Sequence, residues 1–214
     1  MSPVLPVIVC GLVGFASGSL PFGLWLGRAF RGLDVREHGS RNLGATNVYR
    51  VLGAPLGIAT LVLDILKGAL PVWLAPALGL AGGFPGGRDW CAVATGLAAV
   101  LGHVFTPFAG FRGGKGVATT VGVLLALSPP AFLVFAGVFF ATLAITRYVS
   151  LGSTLAAIAF SASLAWFAPG GVRSPVFGLG VALAVLVVIR HRENYRRLLR
   201  GEERRFAFTR GGRS

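Results

Sequence analysis

Long stretches without a formal charge decide what this chain can fold into. Residues 1–27, 91–111 and 116–146 carry none, and between Arg50 and Arg88 only Asp64 and Lys67 intervene. A helix needs roughly 20 predominantly apolar residues to cross the hydrocarbon core of a bilayer. Only 13% of the chain is charged and 54% is hydrophobic, whereas a soluble domain carries about a quarter charged residues. The class is an all-α integral membrane protein, read as one domain over residues 1–214. Disorder is excluded by the apolar content. Two cysteines, Cys10 and Cys91, both in apolar stretches, exclude a disulfide scaffold. Soluble nucleic-acid-binding domains reach the net charge of +13 but not this hydrophobicity, so no nucleic acid is expected as a partner.

Seven transmembrane helices are expected. The first covers residues 4–26; it lacks a basic leader and is long for a signal-peptide core, so it reads as an anchor that stays. Others fall near 54–76, 91–111, 149–168 and 174–190. The run 116–146 is too long for one crossing, and Ser128-Pro129-Pro130 splits it into 116–128 and 130–147, because proline ends or kinks a helix. A six-span alternative makes the short helix after Lys115 re-entrant or interfacial. With the N-terminus outside and the C-terminus cytoplasmic, only Arg88 and Arg173 of the basic loop and tail residues lie outside. Such asymmetry follows the positive-inside rule. The basic tail, 192–214, suits anionic lipid headgroups.

The inner loops are not ordinary filler. In Gly113-Gly114-Lys115-Gly116, glycines let backbone N–H groups approach an anion, and a helix starting near Val117 turns its positive end towards them. Lys115 adds a compact charge. The pattern is not a Walker loop, since Ala109 and Gly116 occupy positions that such a loop reserves. A flexible turn is the plain alternative. In the first loop, Ser40, Asn42, Thr46 and Asn47 are short hydrogen-bonding residues, Gly39 and Gly44 free the backbone, and Arg50 can fork onto phosphate oxygens. Helix capping accounts for one or two of them, not for four beside an arginine. If a helix begins near Thr46, Asn47 and Arg50 share a face. His191 and Asn194 are likewise three apart on a helix; the histidine can orient a substrate hydroxyl or accept its proton, or simply sit at the interface. Asp64 and Lys67, i and i+3 within a span, are expected to pair with each other or a neighbouring helix.

Several chemistries are missing. No histidine is followed five positions later by Asp, so the His-x4-Asp acyltransferase motif fails at His38, His103 and His191. The loops hold no acidic pair for magnesium and the chain no Cys/His cluster, so no metal and no cofactor are expected. A CDP-alcohol phosphotransferase is excluded on the same ground. A transporter of phosphorylated metabolites would place its anion-binding residues at the midplane, usually in paired repeats.

Taken in order, Gly18-Ser19-Leu20-Pro21-Phe22-Gly23, Gly39-Ser40-Arg41-Asn42-Leu43-Gly44-Ala45-Thr46-Asn47, Gly102-His103 with Phe111-Arg112-Gly113-Gly114-Lys115-Gly116-Val117-Ala118-Thr119, Arg147-Tyr148-Val149-Ser150-Leu151-Gly152-Ser153 and Arg190-His191-x-x-Asn194 resemble signatures of the bacterial acyl-phosphate:glycerol-3-phosphate acyltransferases, the PlsY family. Departures are Arg41 and Leu43 for Gly and Pro, Thr106 where Pro is common, and Arg112 for Lys. The resemblance implies seven membrane helices, an active site at the cytoplasmic face of the bacterial inner membrane, and the first step of phospholipid synthesis. That step moves a fatty acyl group from long-chain acyl phosphate to the sn-1 hydroxyl of glycerol 3-phosphate, giving lysophosphatidic acid and inorganic phosphate. By carry-over, Ser40, Thr46, Asn47, Arg50, Gly113, Gly114 and Lys115 bind phosphates, with Ser153 and Ser150. His191 and Asn194 position the glycerol hydroxyl. Ser40 and Lys115 join them as catalytic residues. The proton goes to His191 or to a substrate phosphate oxygen; the residues leave both open. Membrane lipid and an enzyme that supplies acyl phosphate are the remaining partners implied.

Overall fold

The computed structural model describes residues 4–206, and every regular element among them is helical. Residues 1–3 and 207–214, the latter including Arg210 and Arg213 of the basic tail, lie outside the described residues. The ten α-helices are α1 (Val4–Ser19), α2 (Phe22–Arg31), α3 (Ala45–Leu52), α4 (Ala54–Ala77), α5 (Gly87–Val104), α6 (Val117–Leu127), α7 (Pro129–Thr146), α8 (Val149–Phe167), α9 (Pro175–Arg190) and α10 (Arg192–Leu199). They form two compact units, α1 to α6 and α7 to α10, dividing at Pro129 and Pro130.

In the first unit the expected single helix over 4–26 is instead broken at Leu20 and Pro21. Proline interrupts the helical ladder, and inside a membrane the carbonyls at the break need other donors. Thr106 Oγ1 donates to the Ser19 carbonyl at 2.5 Å, and Lys67 Nζ donates to that of Leu20 at 2.6 Å. The same logic applies inside α4. Pro71 cannot donate to the carbonyl of Lys67, and Ser17 Oγ of α1 does so at 2.9 Å.

Small residues set the helix contacts. Gly14 and Gly18 of α1 lie against the carbonyls of Thr95 and Ala99 of α5, and Gly102 of α5 lies against that of Phe15, each too close to admit a Cβ. Gly68 and Gly122 bring α4 and α6 together in the same way. Close backbone approach of this kind holds helices together where lipid supplies no hydrophobic drive. A buried cluster of Leu24, Val35, Leu43, Val48, Leu52 and Ala109 fastens the loop between α2 and α3 to both helices and to the turn after α5.

In the second unit Arg147, at φ +61°, and Tyr148 turn the chain from α7 into α8. Ser161 Oγ of α8 reaches the Gly180 carbonyl of α9 at 2.8 Å, beside a core of Ala157, Ala184 and Val187. The axis of α10 bends 50° from α9. After α10 the chain returns, and the Phe206 N–H donates to the Arg147 carbonyl at 2.7 Å.

Among the described residues, five helical stretches are long and apolar enough to cross a membrane: Val4–Arg31, α4, Gly87–Ala109, α7 and α8. Counting α9 with α10 makes a sixth. The 11 residues of α6 rise about 16 Å at 1.5 Å each, roughly half of a 30 Å core. The fold is therefore all-α and multi-pass, with five or six helices of spanning length where the sequence led us to expect seven.

Candidate functional site

The first loop is folded around one side chain. Asn47, 2% exposed, accepts from the Ser40 N–H at 2.7 Å through Oδ1. Its Nδ2 faces the carbonyls of Val35 (2.9 Å), Asn42 (2.9 Å) and His38 (3.2 Å). Gly39, at φ +62°, sits so near the Asn47 carboxamide that a Cβ would overlap it. Asn42 closes a local turn by accepting from Gly44 N–H at 2.8 Å. The N-cap of α3 is Gly44, with no side-chain cap bond, so capping is not the job of the clustered Ser, Thr and Asn. The Asn47 amide, expected to face phosphate, is spent inside the loop. What the loop presents instead is Ser40, exposed, with Thr46 and Arg50 partly buried.

Behind it, Asp34 pairs with Arg36 at 2.6 Å and Arg28 at 2.9 Å. The hydrogen bond from Arg36 leads in holding the Asp34 carboxyl well below the usual carboxylate range. Arg36 Nη1 also approaches the Ala109 carbonyl at 3.5 Å, linking the first loop to the second.

The second loop has the form expected of it. α6 begins at Val117, and its N-cap Gly116 has φ +82°, a conformation that favours glycine. Gly113 N–H donates to the Val104 carbonyl at 3.0 Å. Gly113 and Gly114 are forced by contact: a Cβ on the former would strike the His103 carbonyl, and one on the latter the His103 imidazole. Lys115 is partly buried. Beneath, a small cleft is lined by Asp64, Lys67, His103, Thr106 and Gly114 among others. Asp64 and Lys67 pair at 2.8 Å, as their spacing suggested. The Thr106 hydroxyl satisfies the Ser19 carbonyl. Arg41 stands at φ +58°, a conformation that favours glycine.

The second unit gathers its own set. Ser150 and Ser153, both buried, share a face at the start of α8. His191 and Asn194 are not on one helix as expected: His191 is the hinge residue between α9 and α10, and its carbonyl accepts from the Asn194 N–H at 2.8 Å. His191 Nδ1 lies 2.8 Å from the Val187 carbonyl. That acceptor assigns the proton of a neutral ring to Nδ1 and the lone pair to Nε2. Sequence reasoning missed Glu203. Its carboxylate accepts from Asn194 Nδ2 (2.6 Å), Arg197 Nε (2.8 Å) and Ser150 Oγ (3.0 Å). Burial pushes this carboxyl up, but the three hydrogen bonds outweigh it and hold it below the ordinary range. The available signal was an acidic pair, Glu202-Glu203, inside an arginine-rich tail. No group of His, Cys, Asp and Glu among the described residues could hold a metal ion.

Helices long enough to cross a bilayer, with polar glycine-rich loops at their ends, define a multi-pass integral membrane protein. The family model for glycerol-3-phosphate acyltransferases matches residues 8–201, so the chain belongs to that family. Among relatives, the Geobacter sulfurreducens glycerol-3-phosphate acyltransferase is 48% identical over 204 residues, covering 95% of this chain and 99% of its own. The Fusobacterium nucleatum one is 44% identical over 191 residues, covering 89% and 93%. The crystal structure of PlsY (YgiH), an integral membrane glycerol 3-phosphate acyltransferase, in its glycerol 3-phosphate form superposes with a TM-score of 0.80 at 38% identity, covering 96% of each chain. A lysophosphatidic acid form of PlsY matches with the same TM-score and identity.

Proposed function

We propose that this chain transfers a fatty acyl group from acyl phosphate to the sn-1 hydroxyl of glycerol 3-phosphate, releasing 1-acylglycerol 3-phosphate and inorganic phosphate. The observation that carries the reading is the match to the acyltransferase family along nearly the whole chain, 8–201. The loops supply the chemical sense of it. Both substrates bear phosphate, and the two glycine-rich loops carry Arg50 and Lys115, the latter just before the N-terminus of α6, whose positive end favours an anion.

Acyl phosphate is a mixed anhydride and needs no covalent enzyme intermediate. The glycerol oxygen attacks the acyl carbon, its new C–O bond forms, and the bond from that carbon to the phosphate oxygen breaks. The hydroxyl proton passes to His191 Nε2 or to a phosphate oxygen. Ser40, Thr46, Arg50 and Lys115 hold phosphate, as does Ser153, whereas the Ser150 hydroxyl donates to Glu203. Asn194, clamped by Glu203, orients the hydroxyl beside His191. Asn47 acts by shaping its loop. Positioning and stabilisation of the developing oxyanion supply the rate.

We place the protein in the bacterial inner membrane as a single acyltransferase domain, its loops and basic tail facing the cytoplasm and its N-terminus outside. Counting α6 as a crossing brings the total to seven, and an odd number fits that reading by parity. If α6 does not cross, whether it re-enters or lies at the interface, Arg147 and the basic tail fall outside, against the positive-inside rule. Neighbouring lipid accommodates the acyl chain, and an enzyme that makes acyl phosphate supplies the donor. The test is phosphate release by purified protein given palmitoyl phosphate with and without glycerol 3-phosphate. Release only when both are present, with lysophosphatidic acid formed, is expected. Release independent of glycerol 3-phosphate, or transfer only from a thioester donor, refutes the reading.

A further inference from the structure

The proposed reaction leaves a buried polar cluster of the first unit without a role. Asp64, Lys67 and His103 are 2%, 4% and 6% exposed. Ionisable groups inside a membrane protein are costly to bury and mark functional elements more often than lipid-facing ones do. Lys67 is accounted for by the backbone, since it serves the carbonyl stranded before Pro21, and it lies 5.6 Å from the Phe22 ring centre. Asp64 neutralises it at 2.8 Å. Neither duty requires a histidine on α5.

His103 stands between the ion pair and the glycine-rich loop. Its Nδ1 lies 3.8 Å from Asp64 Oδ1. On the other side, the Gly114 backbone is so near Nε2 that no side chain fits between them, and Gly113 rests on the His103 carbonyl. The loop is thus laid directly over this one residue. The lining of the cleft runs from Asp64 through His103 to Gly114.

We infer that His103, packed beneath Gly113 and Gly114, is a positioning residue that sets the place of this loop, and through it the Lys115 ammonium that holds a substrate phosphate. The inference rests on the proposed function. Misplacement of a binding group by about 1 Å is enough to lose a large part of its effect. His103 itself touches no reacting atom, so its removal weakens phosphate binding more than it slows turnover of bound substrate.

The experiment compares wild type with His103→Leu, which fills the space without polar edges, and His103→Gln, which retains one. KM for palmitoyl phosphate and for glycerol 3-phosphate, kcat, the inhibition constant of inorganic phosphate and Tm are measured. In His103→Leu, KM for at least one substrate and the phosphate inhibition constant should rise about tenfold, the loss of roughly one charge-assisted hydrogen bond. kcat and Tm should change little, and His103→Gln should recover part of the affinity. A folded His103→Leu with unaltered KM and inhibition constants overturns the inference, as does an effect confined to kcat. Failure of both variants to fold overturns it too, by assigning the residue to the core alone. A wild type inactive with both substrates instead defeats the functional reading. Inorganic phosphate binding by calorimetry then decides the role of His103 separately, with loss in His103→Leu supporting it and retention refuting it.

Discussion

Replacing Asn47 should disable the first loop by unfolding it locally, not by deleting a ligand contact. Its amide oxygen takes one backbone N–H and its nitrogen faces three carbonyls, all within 2.7–3.2 Å. A buried hydrogen bond is worth about 1 kcal/mol, and an unmet partner costs about as much again. Asn47→Ala therefore costs roughly 2–4 kcal/mol once water reaches some of the freed groups. For a chain of this size that is a fall in Tm of about 4–16 °C. Asn47→Asp sharpens the test. It keeps the acceptor for Ser40 but sets carboxylate oxygen against three carbonyls, so it should be worse than alanine, although it is nearly isosteric. Thermal unfolding of the detergent-purified protein reads stability, and phosphate release reads KM and kcat. Activity lost in both variants with Tm unchanged would refute the argument and place the Asn47 amide on the substrate.

Three further outcomes follow from the same geometry. Lys115→Ala and Arg50→Ala should each abolish turnover while size-exclusion profile and Tm stay close to wild type, checked by chromatography and phosphate release. Arg41→Gly should stabilise the protein by about 0.5–1 kcal/mol, because a side chain at positive φ costs more than glycine's added chain entropy; a raised Tm with unaltered KM checks it and denies Arg41 a phosphate contact. Glu203 is more acidic in the fold than when unfolded, so its clamp on Asn194 stabilises the protein above the ordinary glutamate pKa of 4.5 and is lost as pH falls through the lower folded value; Glu203→Gln should flatten the acid limb of a Tm-against-pH curve.

Much of the helical layout was readable because charge is so scarce. α4, α7 and α8 begin and end within a few residues of the spans expected at 54–76, 130–147 and 149–168, and Ser128-Pro129-Pro130 marks the division after α6. The break at Leu20 and Pro21 was passed over, since apolar residues continue on both sides and the donors that make it tolerable, Thr106 and Lys67, are distant in sequence. The glycine-rich loop before α6 was legible in its own composition. The inward use of Asn47 was not, because its partners are backbone atoms, which any residue supplies. Glu203 stayed hidden for a similar reason: its significance lies in a chain reversal after α10 that no local pattern encodes.

The borrowed donor in α4 bears on how the protein is made. With Pro71 in place, α4 has a rung that its own backbone cannot close, and Ser17 of α1 closes it. Because α1 leaves the ribosome some fifty residues earlier, the hydroxyl is already in the bilayer when that rung arrives. Biogenesis in the order of synthesis thus spares the nascent helix a dehydrated carbonyl, whereas a rearranged gene that delivered α4 first would oblige it to wait with that oxygen bare.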